Sequence, residues 1–381
     1  MAEPVIVEAV RTPVGKRGGG LSTLHPADLL GLTYRELIER AGVKPDIVEQ
    51  VIGGCVTQRG EQSANITRTA WLAAGLPYDV AATTVDSACG SSQQANHLVA
   101  GLIAGGVIDV GIACGVESTS RVPPGSATAG AGSPYPPSWD IDVPTPWEAA
   151  ERIARRYGIS REAADGLGLL SQERARQAWG NHRFKRETFG VKVPIGTDGD
   201  WGLVEHDEGV RDTTMEALAA LRPVQPAGIH TAGNASQVSD GAAAIMWAAK
   251  DVALALGLTP RARMVAQAVV GSDPVLHLDG PIAATRAVLG RAGLSLDDID
   301  VIEVNEAFAS VVLAWARTFD ADMTKVNVNG GAIALGHAGG AAGGRLIASA
   351  VHELERGGGE FALIVMCADG GMATGTIVQR L

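Results

Sequence analysis

The sequence is poor in the features that would tie it to a metal ion, a nucleic acid or a membrane. Its eight histidines include no HxxxH or HExxH pair, so a metal site would need ligands from distant segments. Lys and Arg number 31 against 42 Asp and Glu, and a net charge of -11 argues against a face that neutralises phosphates. No apolar run reaches the roughly 18 residues of a membrane helix. We therefore expect no metal, no nucleic-acid partner and no membrane span.

Cysteine is also scarce. The four cysteines are Cys55, Cys89, Cys114 and Cys367, and none belongs to a CxxC pair. The opening MAEPVIVEAVRTPVGK places an acid before its apolar run and has no small-residue cleavage site, which is unlike a secretory signal. These features predict reduced thiols in a cytoplasmic protein.

The chain is rich in apolar residues and glycine. Its 381 residues exceed the usual single-domain range, and 46% of them are hydrophobic. The 49 glycines indicate a backbone that turns tightly or packs closely at many points. We expect either two core-forming units or one large α/β unit with an insertion.

A repeat of the chain favours two similar units. AGVKPDIVE at 41–49 and AGLSLDDID at 292–300 share one frame, and each precedes a strand-like run. Further on, HLVAGLIAGG leads to DVGIACG just as RLIASAVHELERGGG leads to FALIVMCADG. Each half therefore predicts parallel strands joined by crossover helices. We predict an N-terminal domain of residues 1–118 and 237–258, a loop domain of 119–236 and a C-terminal domain of 259–381.

The predicted loop domain has its own composition. It begins with the Pro, Gly and Ser-rich stretch VPPGSATAGAGSPYPPSWD, which is typical of a loop region that holds a ligand. Residues 151–190 then carry eight Arg and one Lys against five acids, inside an otherwise acidic chain. Two interpretations remain open for this basic region: a docking site for an anionic ligand, or a pair of salt-bridged helices.

The stretch TTVDSACGSSQQANHL places Cys89 between an apolar extended run and a helix-like run. A thiol at a helix N-terminus lies among free N–H groups, so we expect a lowered pKa and nucleophilic character. A buried structural thiol is the alternative. For Cys55 and Cys114, which lie within apolar strands, the structural interpretation is favoured.

Other candidates for chemistry lie in the C-terminal third. His337 in NVNGGAIALGHAGGAAGGR is a candidate base, because the glycines around it either leave room for a substrate or allow close domain packing. GGAAGG lacks the spacing of a nucleotide-binding loop. Cys367 ends a strand at a glycine turn and is a candidate acid and base at carbon. Asn305 and Glu306 in VNEAFAS are polar candidates, and the Asn305 amide is suited to hold a water or an oxyanion.

Several segments, taken in order, resemble the thiolase family. They are RTPVGK, DSACGSS, VNEAFAS and NVNGGAIALGH followed by a C-terminal cysteine and glycine turn, and together they span the chain. TAGNASQVSDGAAA is similar to the thiolase segment that borders coenzyme A (CoA). VIGGCVTQRGEQSANITR, SWDID and EAAERIA most resemble steroid side-chain 3-ketoacyl-CoA thiolases.

The resemblance implies a fold and an assembly. The fold would be a five-layered α-β-α-β-α arrangement of duplicated βαβαβαββ domains with an inserted loop domain. CoA would be a co-substrate, with no permanently bound cofactor, and Ser236, Arg222 and His277 would contact CoA or its acyl group. The assembly would be a homodimer or a dimer of dimers.

The resemblance also implies roles for the candidate residues. Cys89 would take the acyl group as a thioester, and His337 would deprotonate Cys89 or the CoA thiol. Asn305 would hold a water that acts with His337 on the substrate thioester oxygen, while Cys367 would move the proton at the α-carbon.

The implied reaction is thiolytic cleavage of a 3-oxoacyl-CoA through a Cys acyl-enzyme. Claisen condensation of acetyl units uses the same residues and stays open. A decarboxylating ketoacyl synthase is disfavoured, because Asn305 stands where a second histidine is expected. A thiolase-like protein that binds acyl-CoA without turnover is the alternative from another class.

Three residues depart from the family pattern. Ser92 replaces the last glycine of CGSG, Ala338 replaces the proline of GHP, and Asp369 replaces the glycine two residues after the C-terminal cysteine. In the family the N–H of that glycine helps to form the oxyanion hole. A carboxylate aimed inward would oppose the oxyanion and raise the pKa of nearby thiols. We expect the Asp369 side chain to point away from the site.

Overall fold

The structure is a computed structural model that describes residues 2–130, 132–195 and 200–381. The strands in these ranges are β1 (Pro4–Arg11), β2 (Gly15–Lys16), β3 (Gln50–Gly54), β4 (Ala81–Val85), β5 (Val110–Ser118), β6 (Val191–Ile195), β7 (Asp200–Val204), β8 (Ser239–Ala249), β9 (Ala262–Gly271), β10 (Val301–Val304), β11 (Phe361–Ala368) and β12 (Met372–Arg380). The α-helices there are α1 (Pro26–Ala41), α2 (Ile66–Ala73), α3 (Ser91–Ala104), α4 (Pro146–Arg156), α5 (Arg161–Gly180), α6 (Met215–Ala219), α7 (Lys250–Ala255), α8 (Gly280–Ala292), α9 (Ala309–Phe319), α10 (Ala332–Leu335) and α11 (Gly339–Gly357).

The main sheet of the described residues divides into two half-sheets, and these alternate with three helical layers, as the thiolase resemblance implies. The first half forms the strand order β4-β3-β5-β8-β1, with β2 beside β8, and the second half β9-β12-β11-β10. The two half-sheets join where β1 pairs with β9 over only two residues. β6 and β7 form a separate two-stranded sheet. Helices α3 and α11 lie between the sheets, because their apolar side chains share one core with strands from both halves. Helices α1 and α2 cover the first sheet from outside, and α8 and α9 cover the second.

Strand pairing is mixed. β3 pairs in parallel with β4 and with β5, and β10 pairs in parallel with β11. These pairs are joined through helices, which is the crossover connection that the sequence predicts. The long strands β8, β9 and β12 pair antiparallel with their neighbours, so the parallel prediction holds only for part of each sheet.

The repeat seen in the sequence is a repeat of structure. Helix α1 ends at Gly42 with φ 68°, and α8 ends at Gly293 with φ 67°. Glycine adopts this left-handed conformation without a Cβ penalty, so the same Ala-Gly pair closes both helices. Each helix is then followed by a strand that pairs in parallel within its half, β3 or β10.

The inserted segment, which lies between β5 and β8, packs against the rest of the chain through helices and ion pairs. Within the basic region, Arg152 pairs with Asp142 and Glu148, and Arg161 pairs with Asp165. Arg174 donates to the carbonyls of Met323 and Val326, and Arg176 pairs with Asp212. These contacts favour the salt-bridged interpretation for this part of the region.

A buried ion cluster joins β1 to the inserted segment. Arg11, the first residue of RTPVGK, is 1% exposed and donates to Glu187 at 2.6 Å and to Asp207 at 2.7 Å. Burial alone would lower the pKa of Arg11, but the two carboxylates raise it above its ordinary value. Asp207 also accepts from the backbone N–H of Val14 at 2.7 Å. The motif therefore has a structural role of its own.

Replacing Arg11 is expected to be costly. Arg11→Ala leaves two buried carboxylates without their cation, so the free energy of unfolding should fall by about 3–5 kcal/mol. Arg176→Ala removes an exposed ion pair and is the matched control, with an expected loss below about 1 kcal/mol. Urea and thermal unfolding followed by circular dichroism measure both. Equal losses for the two variants would contradict a special role for the Arg11 cluster.

Candidate active site

Cys89 lies in a rigid turn between β4 and α3. Helix α3 begins at Ser91, two residues later than the cysteine. The preceding residue, Ala88, has φ 48°, an uncommon conformation for alanine. Its N–H donates to Asp86 Oδ1 at 2.8 Å, and the N–H of Ser87 donates to Ser91 Oγ at 2.9 Å. These side chains hold the strained turn and fix the thiol before substrate arrives.

His337 reaches the same point from the other half of the chain. Its Nε2 lies 3.1 Å from Cys89 Sγ, within hydrogen-bonding distance. Its backbone N–H donates to Gln237 O at 2.9 Å and approaches Ser239 Oγ at 3.1 Å. Gly336 has φ 108°, and a Cβ there would meet Ser239 Oγ at 2.4 Å, so only glycine fits. The backbone that carries the imidazole is therefore held in place by Gln237 and Ser239.

The expectation of a lowered Cys89 pKa is wrong for this structure. Burial raises the pKa of Cys89, and Cys367, Asp369 and then Glu117 raise it further. Burial beside Arg345 lowers the pKa of His337 to about 4. At neutral pH the pair is thus a neutral thiol next to a neutral imidazole. Nε2 is then able to accept the thiol proton, with its own ring proton on Nδ1.

Cys367 and Asn305 complete a buried cluster. Cys367 is 1% exposed at the end of β11, and burial raises its pKa to about 12. The Asn305 amide lies close enough to lower that pKa slightly. Asn305 is fully buried, yet neither its Nδ2 nor its Oδ1 makes a hydrogen bond of normal geometry among the described residues. Buried amides are almost always hydrogen-bonded, so Asn305 is suited to a water or a substrate oxygen.

Glu306, the neighbour of Asn305, has structural partners. It accepts from Ser171 Oγ at 2.7 Å, Asn327 Nδ2 at 2.9 Å and the N–H of Ile333 at 3.1 Å. These bonds tie the loop that leads to His337 to α5 and to the end of β10. Of the two polar candidates in VNEAFAS, Asn305 is therefore the one that is free to act on a ligand.

A cavity of about 170 Å³ opens onto the thiol and the imidazole. Its lining is Val56, Thr57, Cys89, Glu117, Thr119, Pro124, Ser236, Gln237, Val238, His337 and Gly339. Ser236, a residue predicted from the sequence, is thus brought to the same cavity as Cys89 and His337. Arg222 is exposed beyond α6, and His277 is buried next to Asp369; neither lines this cavity.

Glu117 is a residue of the site that the sequence analysis missed. It is 2% exposed at the end of β5 and accepts four hydrogen bonds. Their donors are the N–H groups of Val56, Thr57 and Gly340 and the Gln62 amide, at 2.8 to 3.1 Å. Glu117 therefore joins the loop after β3 to the first turn of α11, beside His337. An acid inside the apolar run of β5 was the available signal.

The three departures from the thiolase pattern are accommodated differently. Ser92 Oγ accepts from the N–H of Gly344 at 2.9 Å and so links α3 to α11. Ala338 has φ -85°, which is close to the angle that a proline would impose. The Asp369 carboxylate contacts His277 Nε2, and 62% of the side chain is exposed. It is directed to His277, yet it is close enough to raise the pKa of both catalytic-site thiols.

Residues 2–130, 132–195 and 200–381 form no helix with the length and hydropathy of a membrane span. They also contain no group of three or more His, Cys, Asp or Glu residues arranged to hold a metal ion.

The chain is similar to known proteins over its full length. The thiolase N-terminal domain family matches residues 4–251, and the thiolase C-terminal domain family matches residues 258–380. A steroid 3-ketoacyl-CoA thiolase of Mycobacterium tuberculosis is 44% identical over 100% of this chain and 95% of its own length.

Two solved structures share the fold. An acetyl-CoA acetyltransferase of Bacillus anthracis superposes with a TM-score of 0.93 at 36% identity, covering 100% of this chain and 99% of its own. The human mitochondrial 3-ketoacyl-CoA thiolase in complex with CoA gives a TM-score of 0.91 at 35% identity, covering 100% and 98%. With these matches to both domains and the Cys89–His337 contact, the chain belongs to the thiolase family and is an acyltransferase that cleaves 3-oxoacyl-CoA with CoA.

Proposed function

We propose that Cys89 is the nucleophile, His337 its base, Cys367 the acid and base at carbon, and Asn305 the holder of a water. The observation that carries this proposal is the 3.1 Å contact between Cys89 Sγ and His337 Nε2 at the cavity. Cys367 lies near enough to raise the pKa of Cys89, and Asn305 lies next to Cys367. A soft nucleophile, a base and a second proton carrier therefore meet at one place.

In this proposal the reaction has two halves. His337 Nε2 takes the proton of Cys89, Sγ attacks the 3-oxo carbon, and the C2–C3 bond breaks to leave an acyl thioester. Cys367 is a protonated thiol at neutral pH, so it is able to protonate the departing C2 and release acetyl-CoA. His337 returns its proton to the Cys367 thiolate between the two halves, so it is again able to act as a base. The thiol of a second CoA then attacks the acyl thioester while His337 accepts its proton, and the departing Cys89 thiolate takes that proton from His337. Condensation is the same path in reverse.

Trapping the acyl-enzyme tests these roles. Incubation with a 3-oxoacyl-CoA in the absence of free CoA should add one acyl mass to the peptide that carries Cys89. Cys89→Ala should lose the adduct and at least about 10³-fold in thiolysis, because the covalent route is closed. Cys114→Ala is the control, since Cys114 is buried against Tyr34 away from the cavity. A protein that binds acyl-CoA without turnover would form no adduct.

We propose that the acyl group is bulky, as in a steroid side chain. The support is the steroid substrate class of the similar Mycobacterium tuberculosis thiolase and the course of residues 132–145, here called the strap. Pro124, just before the strap, lines the cavity, and Asp142 in the strap pairs with Arg152, which donates to Val275 O. The strap exposes Tyr135, Trp139 and Ile141, and the two aromatic rings stack with centroids 4.8 Å apart. Such an apolar surface suits a polycyclic group better than a short chain.

Substrate assays on variants of the strap test this choice. With acetoacetyl-CoA, a medium-chain 3-oxoacyl-CoA and a steroid side-chain 3-oxoacyl-CoA, wild type should favour the steroid thioester. Trp139→Ala should lower kcat/KM for that substrate about tenfold, about 1.4 kcal/mol, and leave acetoacetyl-CoA unchanged. Trp201→Ala, which removes another exposed tryptophan, is the control. A preference for the medium chain that Trp139→Ala does not alter would contradict the proposal.

The same assays, with the CoA concentration varied, test Ser236 and Arg222 as CoA contacts. Replacing either residue with alanine should raise the KM for CoA.

We propose that the protein works as a homodimer, or as a dimer of dimers, in the cytoplasm. β4 is the last strand of its sheet and is only partly covered, and among the described residues no strand pairs with its outer edge, so this edge is suited to pair with a second chain. It leads directly into the Cys89 turn, which such pairing would support. A cytoplasmic location suits the four free cysteines, two of which must stay reduced for the proposed chemistry.

A charge on β4 should disrupt this assembly. Thr83 is exposed on β4, and Thr83→Lys would bring two like charges together across a two-fold axis. Sedimentation equilibrium should show a dimer or tetramer for wild type and monomer for the variant. Thr259→Lys, on the exposed loop after α7, should keep the wild-type mass. Wild-type monomer, or an unaltered mass for Thr83→Lys, would contradict this interface.

A further inference from the structure

We propose that His277 is a positioning residue that clamps the carboxylate of Asp369 at the edge of the active site. The clamp holds the negatively charged Asp369 carboxylate beside Cys89 and Cys367. It keeps this carboxylate from rotating into the space where substrate oxygens develop negative charge. This inference rests on the proposed roles of Cys89 and Cys367, and it gives a function to a histidine outside the cavity. His277 acts through Asp369 and not on the substrate.

The two residues come from different loops. His277 lies in the loop between β9 and α8 and is 1% exposed, whereas Asp369 begins the turn between β11 and β12. His277 Nε2 contacts Asp369 Oδ1 directly. The backbone of His277 has φ 62°, which is uncommon for a residue with a side chain. Its N–H donates to Asp273 O at 2.7 Å, which holds this conformation. Backbone strain of this kind persists where the surroundings enforce it, often at functional sites.

The direction of the hydrogen bond follows from the charges. The bond from His277 lowers the pKa of Asp369, so the carboxylate is ionised at neutral pH and is able only to accept. His277 Nε2 must therefore carry the proton and donate it. The Gly370 N–H lies 3.3 Å from the same nitrogen, but a donating Nε2 has no lone pair left for it. Nδ1 is buried without a partner among the described residues.

The charge matters because of what surrounds it. Asp369 raises the pKa of Cys89, Cys367 and Asp86, which lie on two elements, the turn between β4 and α3 and the end of β11. His277 faces it from a third, the loop between β9 and α8. Beyond His277, the loop also carries Asp273 and Asp279, and Arg156 approaches Asp279. Without His277, the Asp369 carboxylate would be free to rotate toward Cys89 and Cys367 and toward the substrate oxygens. Its negative charge would oppose both the loss of protons from the thiols and the development of negative charge on the oxygens.

The two loops are also joined by contacts that do not involve the pair. The N–H of Ser272 donates to Gly371 O at 2.7 Å. Gly371 has φ 69°, and a Cβ there would meet Pro274 Cα at 3.0 Å. Backbone therefore packs on backbone at this point. Removal of the imidazole should release the carboxylate while the loops stay in place.

A double-mutant cycle on the full-length enzyme tests the clamp. The variants are His277→Ala, Asp369→Asn and the double variant, and the readouts are kcat/KM for thiolysis and the pH profile of Cys89 alkylation by iodoacetamide, resolved by mass spectrometry. His277→Ala should lower kcat/KM at least about tenfold and move the alkylation profile to higher pH, because the free carboxylate opposes the thiolate. Asp369→Asn should move the profile to lower pH. In the Asp369→Asn background, loss of His277 should have no further effect on either readout.

The possible outcomes separate this proposal from a packing role. Equal losses from His277→Ala in both backgrounds, or no loss in either, would overturn it. His277→Gln, which keeps a donor, should restore part of the activity. His277→Phe, which keeps a ring without a donor, replaces His277→Ala in the cycle if thermal unfolding shows that the alanine variant does not fold. Alkylation of the free enzyme needs no turnover. A protein without thiolysis but with the predicted shifts would therefore contradict the proposed function and leave the clamp intact.

Discussion

The 3.1 Å contact between Cys89 and His337 depends on how closely α3 and α11 pack. Each residue lies just before the helix of its own half, so the thiol meets the imidazole only if the helix starts come together. Glycine makes this approach possible. A Cβ on Gly343 would meet Gln93 N at 2.5 Å, and one on Gly340 would meet Val116 O at 2.4 Å. Of the two interpretations of the glycines after His337, close packing is the one these contacts support. The duplicated fold thus creates the site at its own internal interface.

Burial determines how the site holds its protons. A thiol at a helix start gains from nearby N–H groups, but at Cys89 the loss of water and the neighbouring acidic groups outweigh that gain. The result is a neutral pair in a low-dielectric cavity. Charge then appears only when substrate arrives, where fixed dipoles stabilise it more strongly than water would. The lowered pKa of His337, about 4, keeps the imidazole ready to accept a proton across the neutral range.

Local patterns predicted the elements that depend on neighbours in sequence. The two Ala-Gly helix ends, the strand-turn-helix around Cys89 and the glycine segment of His337 were all recognisable, because caps and turns are local. The two similar halves followed from the repeat, and the five layers from the thiolase resemblance. The Arg11 cluster and the four hydrogen bonds of Glu117 were not predictable. They join residues far apart in the chain, and an acid or arginine inside an apolar strand gives no sign of its partner. The direction of the Cys89 pKa shift was predicted wrongly, because it depends on burial and the local pattern indicates only the helix start.

The three departures from the family pattern differ in how far they depend on contacts with other residues. Ser92 obtains its partner from the backbone of the facing helix, and Ala338 keeps its backbone angle without help. Both are accommodated within the middle layer. Asp369 is different, because a carboxylate next to two thiols needs a side-chain donor in addition to the Gly370 N–H of its own turn. His277 supplies it from another loop, at the cost of a left-handed backbone angle. The hypothesis of a thiolase-like protein without turnover rested on these three residues, and the structure shows how each of them is accommodated. The replacement at 369 is the one that depends on a second residue, so activity in this chain should be a property of the pair.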